Sequence, residues 1–200
     1  MFLDPHQPLT TCSQTTCEDC PLERSIHCHF QGKDLAAFFS AVFPAFLLGG
    51  IGLYRSGLEF FLPWAGFIPI FFGLIEIRVL CSHCPHYHEP GSSLKCWANY
   101  GSPKIWRFRP GPMSKTEKGT FLGGLLLITG FPLFLILWQT DWILAGLYLF
   151  AVGGAAVFMK TAMCSECMNF ACPLNTVDEA RKRDFFQLNP DYAAGWKAGQ

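Results

Sequence analysis

Cysteine is the residue type in this chain whose spacing most clearly points to chemistry. Among the 200 residues are ten cysteines, and six of them form three Cys-x-x-Cys pairs. The pairs are Cys17/Cys20, Cys81/Cys84 and Cys164/Cys167, and the remaining cysteines are Cys12, Cys28, Cys96 and Cys172. Two thiolates three positions apart can bind one metal ion or two corners of one cluster. All ten cysteines are therefore candidate metal ligands.

A proline after the last cysteine of a group helps to distinguish two metals that share this spacing. The dipeptides are Cys20-Pro21, Cys84-Pro85 and Cys172-Pro173. Cys-Pro closes the ligand run of bacterial ferredoxins, C-x2-C-x2-C-x3-C-P. Cys164-x2-Cys167-x4-Cys172-Pro173 comes near that run without matching it. The pattern favours iron–sulfur clusters, with zinc as the alternative.

The number of cysteines predicts two sites with four cysteine ligands each, and each site suits a [4Fe–4S] cluster. One trio is Cys81, Cys84 and Cys96, and the other is Cys164, Cys167 and Cys172. Because each trio lacks one ligand, we expect the Cys17/Cys20 pair to give one residue to each. In a second partition, Cys12, Cys17, Cys20 and Cys28 form a site of their own and six cysteines remain for the rest. The sequence leaves both partitions open.

Four apolar segments must position these cysteines. Half of the residues are hydrophobic and only 15% are charged, which is few for a soluble domain. The segments are residues 35–53, 60–80, 121–138 and 142–159. Each is close to the roughly 20 residues that a helix needs to cross a bilayer. The sequence predicts an all-α polytopic membrane protein with four transmembrane helices in two hairpins.

The basic residues indicate how these helices are oriented. Every Lys and Arg except Arg55 lies before the first segment, between the second and third, or after the fourth, if Arg78 at the inner end of the second segment is counted with the central stretch. The positive-inside rule therefore predicts that both termini and the central loop are cytoplasmic. We expect a multi-pass protein of the cytoplasmic membrane with all cysteines on the cytoplasmic side. The basic face suits anionic lipids, and nothing suggests nucleic-acid binding.

Cysteine-rich and membrane-spanning parts are expected to alternate along the chain. The cytoplasmic parts are residues 1–34, 81–118 and 161–200, and the transmembrane hairpins are residues 35–80 and 119–160. Each second helix runs directly into a Cys-x-x-Cys pair, which suggests a degenerate duplication whose two clusters lie near each other. Ser114 and Glu117 predict a capping box before the third segment. Residues 175–188 predict a short charged helix.

Disulfide chemistry agrees less well with this topology. Structural disulfides are rare in the cytosol, where thiols are kept reduced. A redox-active Cys-x-x-Cys usually belongs to a thioredoxin-like βαβ unit, and the sequence shows no strand pattern of that kind.

A few further residues suggest roles beside the cysteines. None of the six histidines lies in an apolar segment, which excludes a haem held by two transmembrane histidines. We expect His83, His86 and His88 to be surface groups or to support ligands. Glu76 and Arg78 lie at the inner end of the second segment. They are either interfacial side chains or groups that transfer protons or contact quinone beside a cluster.

Two stretches carry a resemblance to a known family. The stretch from Leu94 to Lys104, followed by Arg109-Pro110-Gly111-Pro112-Met113-Ser114, is similar to small, largely uncharacterised polytopic membrane proteins of anaerobic prokaryotes. Cys164 to Asn175 fits the same family. This resemblance covers most of the chain and implies no established activity.

A looser likeness is to the membrane-bound ferredoxin-like quinol dehydrogenase subunits of nitrate respiration. The chain resembles them in having four spans and cytoplasmic Cys-Pro motifs. It departs from them because its membrane-proximal pairs have two intervening residues rather than three, and because a full ferredoxin repeat is missing from the sequence.

The sequence favours an integral membrane iron–sulfur protein that passes electrons between a soluble partner and the membrane, where quinone is a candidate acceptor. The soluble partner would be an electron carrier or the subunits of a redox complex. One alternative is a zinc-stabilised, non-enzymatic scaffold that binds a partner. The other is a thiol–disulfide oxidoreductase.

Overall fold

Four long helices form an up-and-down bundle in the computed structural model, which describes residues 3–22 and 25–198. In chain order the helices are α1 (Gly32–Ser56), α2 (Leu58–His83), α3 (Pro85–His88), α4 (Lys115–Trp138), α5 (Trp142–Met163), α6 (Glu179–Leu188) and α7 (Pro190–Ala198). Within the described residues, α1, α2, α4 and α5 are long and apolar enough to cross a membrane. These residues contain no strand. The predicted all-α multi-pass membrane protein is confirmed.

Close contacts and hydrogen bonds join the long helices inside the apolar bundle. A Cβ on Gly49 of α1 would lie 3.0 Å from Cε2 of Tyr148 on α5, so the glycine allows a close approach. The Tyr148 hydroxyl donates to the Thr129 carbonyl of α4 at 2.8 Å. The Trp64 indole of α2 donates to the Ile128 carbonyl at 2.9 Å. Small residues and interhelical hydrogen bonds are the usual means of joining helices in lipid.

Gly124→Leu is expected to destabilise the bundle, whereas Gly123→Leu is expected to be tolerated. A Cβ at Gly124 would overlap the Phe71 ring, while a Cβ at Gly123 would meet nothing within 4 Å. Overpacking of an interior costs roughly 1–3 kcal/mol or more. The thermal midpoint of the Gly124→Leu protein in detergent should therefore fall clearly below that of the Gly123→Leu protein. Equal midpoints would contradict this packing.

The parts outside the bundle fold together at the end where α1 begins and α5 ends. This cysteine cap comprises residues 3–22, 25–31, 81–114 and 164–198. Its apolar core draws on all of these parts and includes Leu22, Ile26, Phe30, Trp97, Met168, Phe170, Phe185 and Tyr192. The His27 amide donates to the Glu166 carbonyl at 2.8 Å, which ties the N-terminal part to the C-terminal part. The cap therefore brings distant cysteines into one packed unit.

The central loop is fixed where it enters α4. As the sequence predicts, the Ser114 hydroxyl accepts from the Glu117 amide at 3.2 Å, and the Glu117 carboxylate accepts from the Ser114 amide at 2.9 Å. The same carboxylate lies 2.7 Å from a guanidinium nitrogen of Arg109 and 3.5 Å from one of Arg78. The predicted capping box is confirmed, and its Glu117 also ties the loop to α2.

The C-terminal part differs from the single helix expected over residues 175–188. Helix α6 begins at Glu179, after the N-cap Asp178. The preceding residues are not helical, and there the Asn175 side chain donates to the Cys167 carbonyl at 2.6 Å. Pro190 follows α6, as expected, but it also begins α7. Proline is tolerated at the first helical position because its missing amide hydrogen would be unpaired there anyway.

Both helices that lead into a Cys-x-x-Cys pair contain a π-helical turn near the cap. The turns are Phe71–Ile75 in α2 and Met159–Met163 in α5. Such turns are rare and frequently occur at functional sites. The shared irregularity is consistent with the expected duplication.

Candidate metal centre

A cavity of about 410 Å³ lies where the four-helix bundle meets the cysteine cap. Six of the ten cysteines line it, namely Cys81, Cys84, Cys96, Cys164, Cys167 and Cys172. None of the ten cysteines, all of which lie within the described residues, forms a disulfide. The two trios identified in the sequence therefore share one space, which we call the cysteine cavity.

The ends of two long helices place the first cysteine of each pair. Cys81 begins a 3₁₀ turn at the end of α2, and the Cys84 amide donates to its carbonyl at 3.0 Å. Cys164 directly follows the π-helical turn of α5, and its amide donates to the Met159 carbonyl at 2.7 Å. The backbone of each helix thus fixes where its cysteine pair enters the cap.

Asn99 contacts two of these sulfurs from the central loop. Its backbone amide donates to Cys96 Sγ at 3.3 Å, and its side-chain amide donates to Cys81 Sγ at 3.4 Å. The side chain is buried and also interacts with the Glu76 carboxyl group. Hydrogen bonds to a ligand sulfur orient the ligand and change the properties of the bound metal. Asn99 therefore joins cysteines from two parts of the chain.

Burial raises the pKa of the thiols around the cavity. It raises the pKa of Cys96 to about 11 and that of Cys172 to about 12. It also holds the pKa of Cys84 well above its usual range, with added repulsion from the Cys167 thiol of the other trio. Such thiols stay protonated at neutral pH unless a cation is present, because a buried thiolate is poorly solvated. A metal supplies the positive charge that deprotonates a coordinating thiol.

The six cavity cysteines are spread around a space and do not form a compact site for a single ion. Four thiolates at about 2.3 Å from one zinc ion lie within roughly 4 Å of one another. Among the described residues, no three Cys, His, Asp or Glu side chains are grouped so as to hold one metal ion. Six cysteines instead surround a cavity, and an iron–sulfur cluster places several atoms between its ligands.

The N-terminal cysteines form a group apart from the cavity. None of Cys12, Cys17, Cys20 and Cys28 lines it. Burial raises the pKa of Cys28 to about 12, and repulsion from the thiols of the other three adds to the shift, so they lie near it. This placement fits the second partition of ligands better than the first, in which Cys17 and Cys20 join separate trios.

His86 is a cavity residue for which sequence reasoning gave no distinct role. It is only 2% exposed and lines the cavity, so a position on the surface is wrong for this residue. Neither ring nitrogen has a hydrogen-bond partner within the described part of the chain. Burial lowers the pKa of His86 to about 3, which leaves a neutral imidazole able to bind a metal or a ligand. In the sequence, the position of His86 directly after Cys84-Pro85 was the only signal that it lies beside the cavity cysteines.

His83 lies outside the cavity. Its Nδ1 is 3.1 Å from the Gly111 carbonyl oxygen, and its Nε2 is 3.6 Å from the Glu117 carboxylate. His83 is therefore buried against the central loop and is not the surface group that was one of its two expected roles.

The neighbours Glu76 and Arg78 have separate surroundings. Glu76 is buried and lines the cysteine cavity, where its Oε2 has no hydrogen-bond partner among the described residues. Asn169, another lining residue, likewise has an unpartnered Oδ1. Arg78 instead lies over the Trp106 ring, 5.6 Å from its centroid. The interfacial interpretation therefore fits Arg78, whereas Glu76 is buried beside the cysteines.

The fold and this cavity define a multi-pass, cysteine-rich membrane protein. No protein-family model, curated protein or solved structure matches the chain. Its likeness to small membrane proteins of anaerobic prokaryotes therefore rests on the sequence motifs alone. The function must be argued from the cavity itself.

Proposed function

We propose that this protein is an integral membrane iron–sulfur protein that transfers electrons between a soluble partner and the membrane. The observation that carries the proposal is the lining of one cavity by six cysteines from two distant parts of the chain. A [4Fe–4S] cluster takes four cysteine ligands. The cavity thus offers enough sulfurs for one cluster, at the boundary between a cap that a soluble carrier can reach and a bundle immersed in lipid.

The N-terminal group supplies ligands for a second cluster. Cys12, Cys17, Cys20 and Cys28 are four thiols close to one another. They belong to the same packed cap as the cavity, because Phe30 packs against His86 with ring centroids 5.1 Å apart. Two clusters in one cap would give electrons a route from the outer face of the cap toward the bundle.

We assign the cap to the cytoplasmic side of the membrane. The described Lys and Arg residues lie in the cap or at the cap ends of the long helices, except for Arg55. Arg55 pairs with Asp141 at 2.7 Å at the opposite end of the bundle. Positive residues favour the cytoplasmic side. They also offset the negative charge of thiolate-bound clusters and attract an acidic electron carrier.

Anaerobic purification of the full chain in detergent tests the proposal. We expect a brown protein with a broad absorption band near about 400 nm, and iron and acid-labile sulfide at about four atoms of each per occupied site. Reduction with dithionite should produce an electron paramagnetic resonance signal.

Two other results would overturn the proposal. A colourless protein with stoichiometric zinc would support the zinc-stabilised scaffold. A metal-free protein whose cavity cysteines form disulfides reversibly would support a thiol–disulfide oxidoreductase, and mass spectrometry after thiol labelling would detect those pairs.

A further inference from the structure

The cysteine cavity continues from the sulfurs into the membrane part of the protein. All four long helices contribute apolar side chains to this membrane side, among them Val42, Phe46, Phe72, Leu125, Ile128 and Ala155. The cysteines line the cap side of the cavity, and these apolar side chains line a separate part of the same space. Apolar cavities of a few hundred Å³ with a few polar groups are the usual form of small-molecule sites.

Unpartnered polar groups lie at the boundary between the cysteines and the apolar side. Glu76 is 6% exposed and His86 is 2% exposed, and both line the cavity with nitrogen or oxygen atoms that have no partner among the described residues. Leaving such buried groups unpaired is costly, which indicates a missing ligand. A carboxyl group and an imidazole ring are both side chains that form hydrogen bonds.

The cavity also approaches the lipid-facing surface. Ala156 on α5 lines the cavity and is at the same time exposed. At Ala156 the cavity therefore adjoins the surface of α5 that faces the lipid, away from the cap.

We propose that the membrane side of the cysteine cavity binds a lipophilic quinone, an inference that rests on the proposed electron-transfer function. A quinone ring is neutral and apolar, and its oxygens accept hydrogen bonds when oxidised and donate them when reduced. Glu76 and His86 match both states because each can play either role. The ring lies beside the cysteines, and its tail leaves toward the bilayer near Ala156.

A phospholipid fits this site less well. Its phosphate would carry negative charge into a buried region beside the Glu76 carboxyl group, with no described Lys or Arg among the lining residues. Burial of an unpaired charge is expensive. A neutral head group avoids that cost, so the geometry favours the quinone.

Titration with a decyl-substituted benzoquinone tests the inference. The full chain, loaded with its metal, is placed in phosphatidylcholine nanodiscs, and quenching of tryptophan fluorescence is followed, since Trp97 lines the cavity. We expect saturable quenching. Glu76→Leu should weaken binding about tenfold or more, because it removes both the donor and the acceptor of this side chain. Ala155→Phe should abolish saturable quenching by filling the apolar side.

Two matched controls separate specific binding from partition into the lipid. Glu59→Leu replaces an exposed carboxyl group at the other end of α2, and Val157→Phe enlarges an exposed residue of α5 that does not line the cavity. Both should bind the benzoquinone like the unaltered protein. Metal content of every variant is measured, so that loss of folding is recognised.

The outcomes separate this inference from the proposed function. Iron-loaded protein without saturable quenching, or with equal quenching in Ala155→Phe and Val157→Phe, overturns quinone binding and leaves the cluster proposal intact. Quinone binding is also overturned if the protein is treated with quinone and washed, and extraction then yields phospholipid but no quinone. A zinc protein that binds the benzoquinone saturably would instead overturn the iron–sulfur proposal and retain the site.

Discussion

The double variant Cys17→Ser/Cys20→Ser is expected to keep the cluster of the cysteine cavity, whereas Cys84→Ser/Cys167→Ser is expected to lose it. Neither Cys17 nor Cys20 lines the cavity, while Cys84 and Cys167 line it from opposite trios. Every set of four cavity cysteines includes Cys84 or Cys167, with the single exception of Cys81, Cys96, Cys164 and Cys172, so the double substitution removes a ligand from all but that one arrangement.

Iron and sulfide analysis of the two double variants provides the measurement. The N-terminal variant should retain about half of the iron, since only the second cluster is lost. The cavity variant should lose the cavity cluster's absorption and paramagnetic signal. If the N-terminal variant lost all of its iron, the structure's grouping of ligands would be wrong, and the partition that sends one N-terminal cysteine to each trio would be favoured. Both variants replace two cysteines by serine, so each controls for the other.

Asn99→Asp is expected to weaken retention of the cavity cluster by about 10–100-fold, in line with other residues that support metal ligands. The substitution keeps the shape of the side chain but removes its donor to Cys81 Sγ. The backbone hydrogen bond to Cys96 Sγ should persist. Without the side-chain donor, the more negative reduced cluster is less stabilised, so its reduction potential should also fall, on the order of tens of mV.

Loss of iron to a chelator and a redox titration followed by paramagnetic resonance check this prediction. Asn175→Asp is the matched control, because Asn175 also lines the cavity but donates to the Cys167 carbonyl rather than to a sulfur. Both variants add a carboxylate. If both variants changed the reduction potential and the rate of iron loss equally, the N–H···S hydrogen bond of Asn99 would not explain either effect.

The bundle was the most predictable part of this protein. Segment length alone gives the four long helices, because a helix must provide roughly 20 apolar residues to cross the bilayer. The capping box at Ser114 and Glu117 was also predictable, since it depends on residues three positions apart. The helix over residues 175–188 was placed less well, because Asn175 bonds the distant Cys167 instead of continuing a local turn.

The grouping of ligands was much less predictable. Spacing along the chain identified the pairs, but it could not show that both trios share one cavity while the N-terminal cysteines lie apart. The burial of His86 and the separation of Glu76 from Arg78 also had no distinct signal. Each depends on how the central loop packs between the ends of the bundle and the N-terminal and C-terminal parts of the cap.

The sequence by itself determined that this chain spans a membrane four times and carries its thiols in the parts between and beyond the hairpins. Composition gives the number of crossings, and two crossings between successive cysteine-rich parts return the chain to the same side of the membrane. Neither step requires knowledge of how the helices pack. Only the tertiary structure decided which cysteines meet and what lies beside them. The apolar core of the cap, around residues such as Phe170 and Phe185, folds three distant parts against the bundle, and that long-range packing creates the cavity.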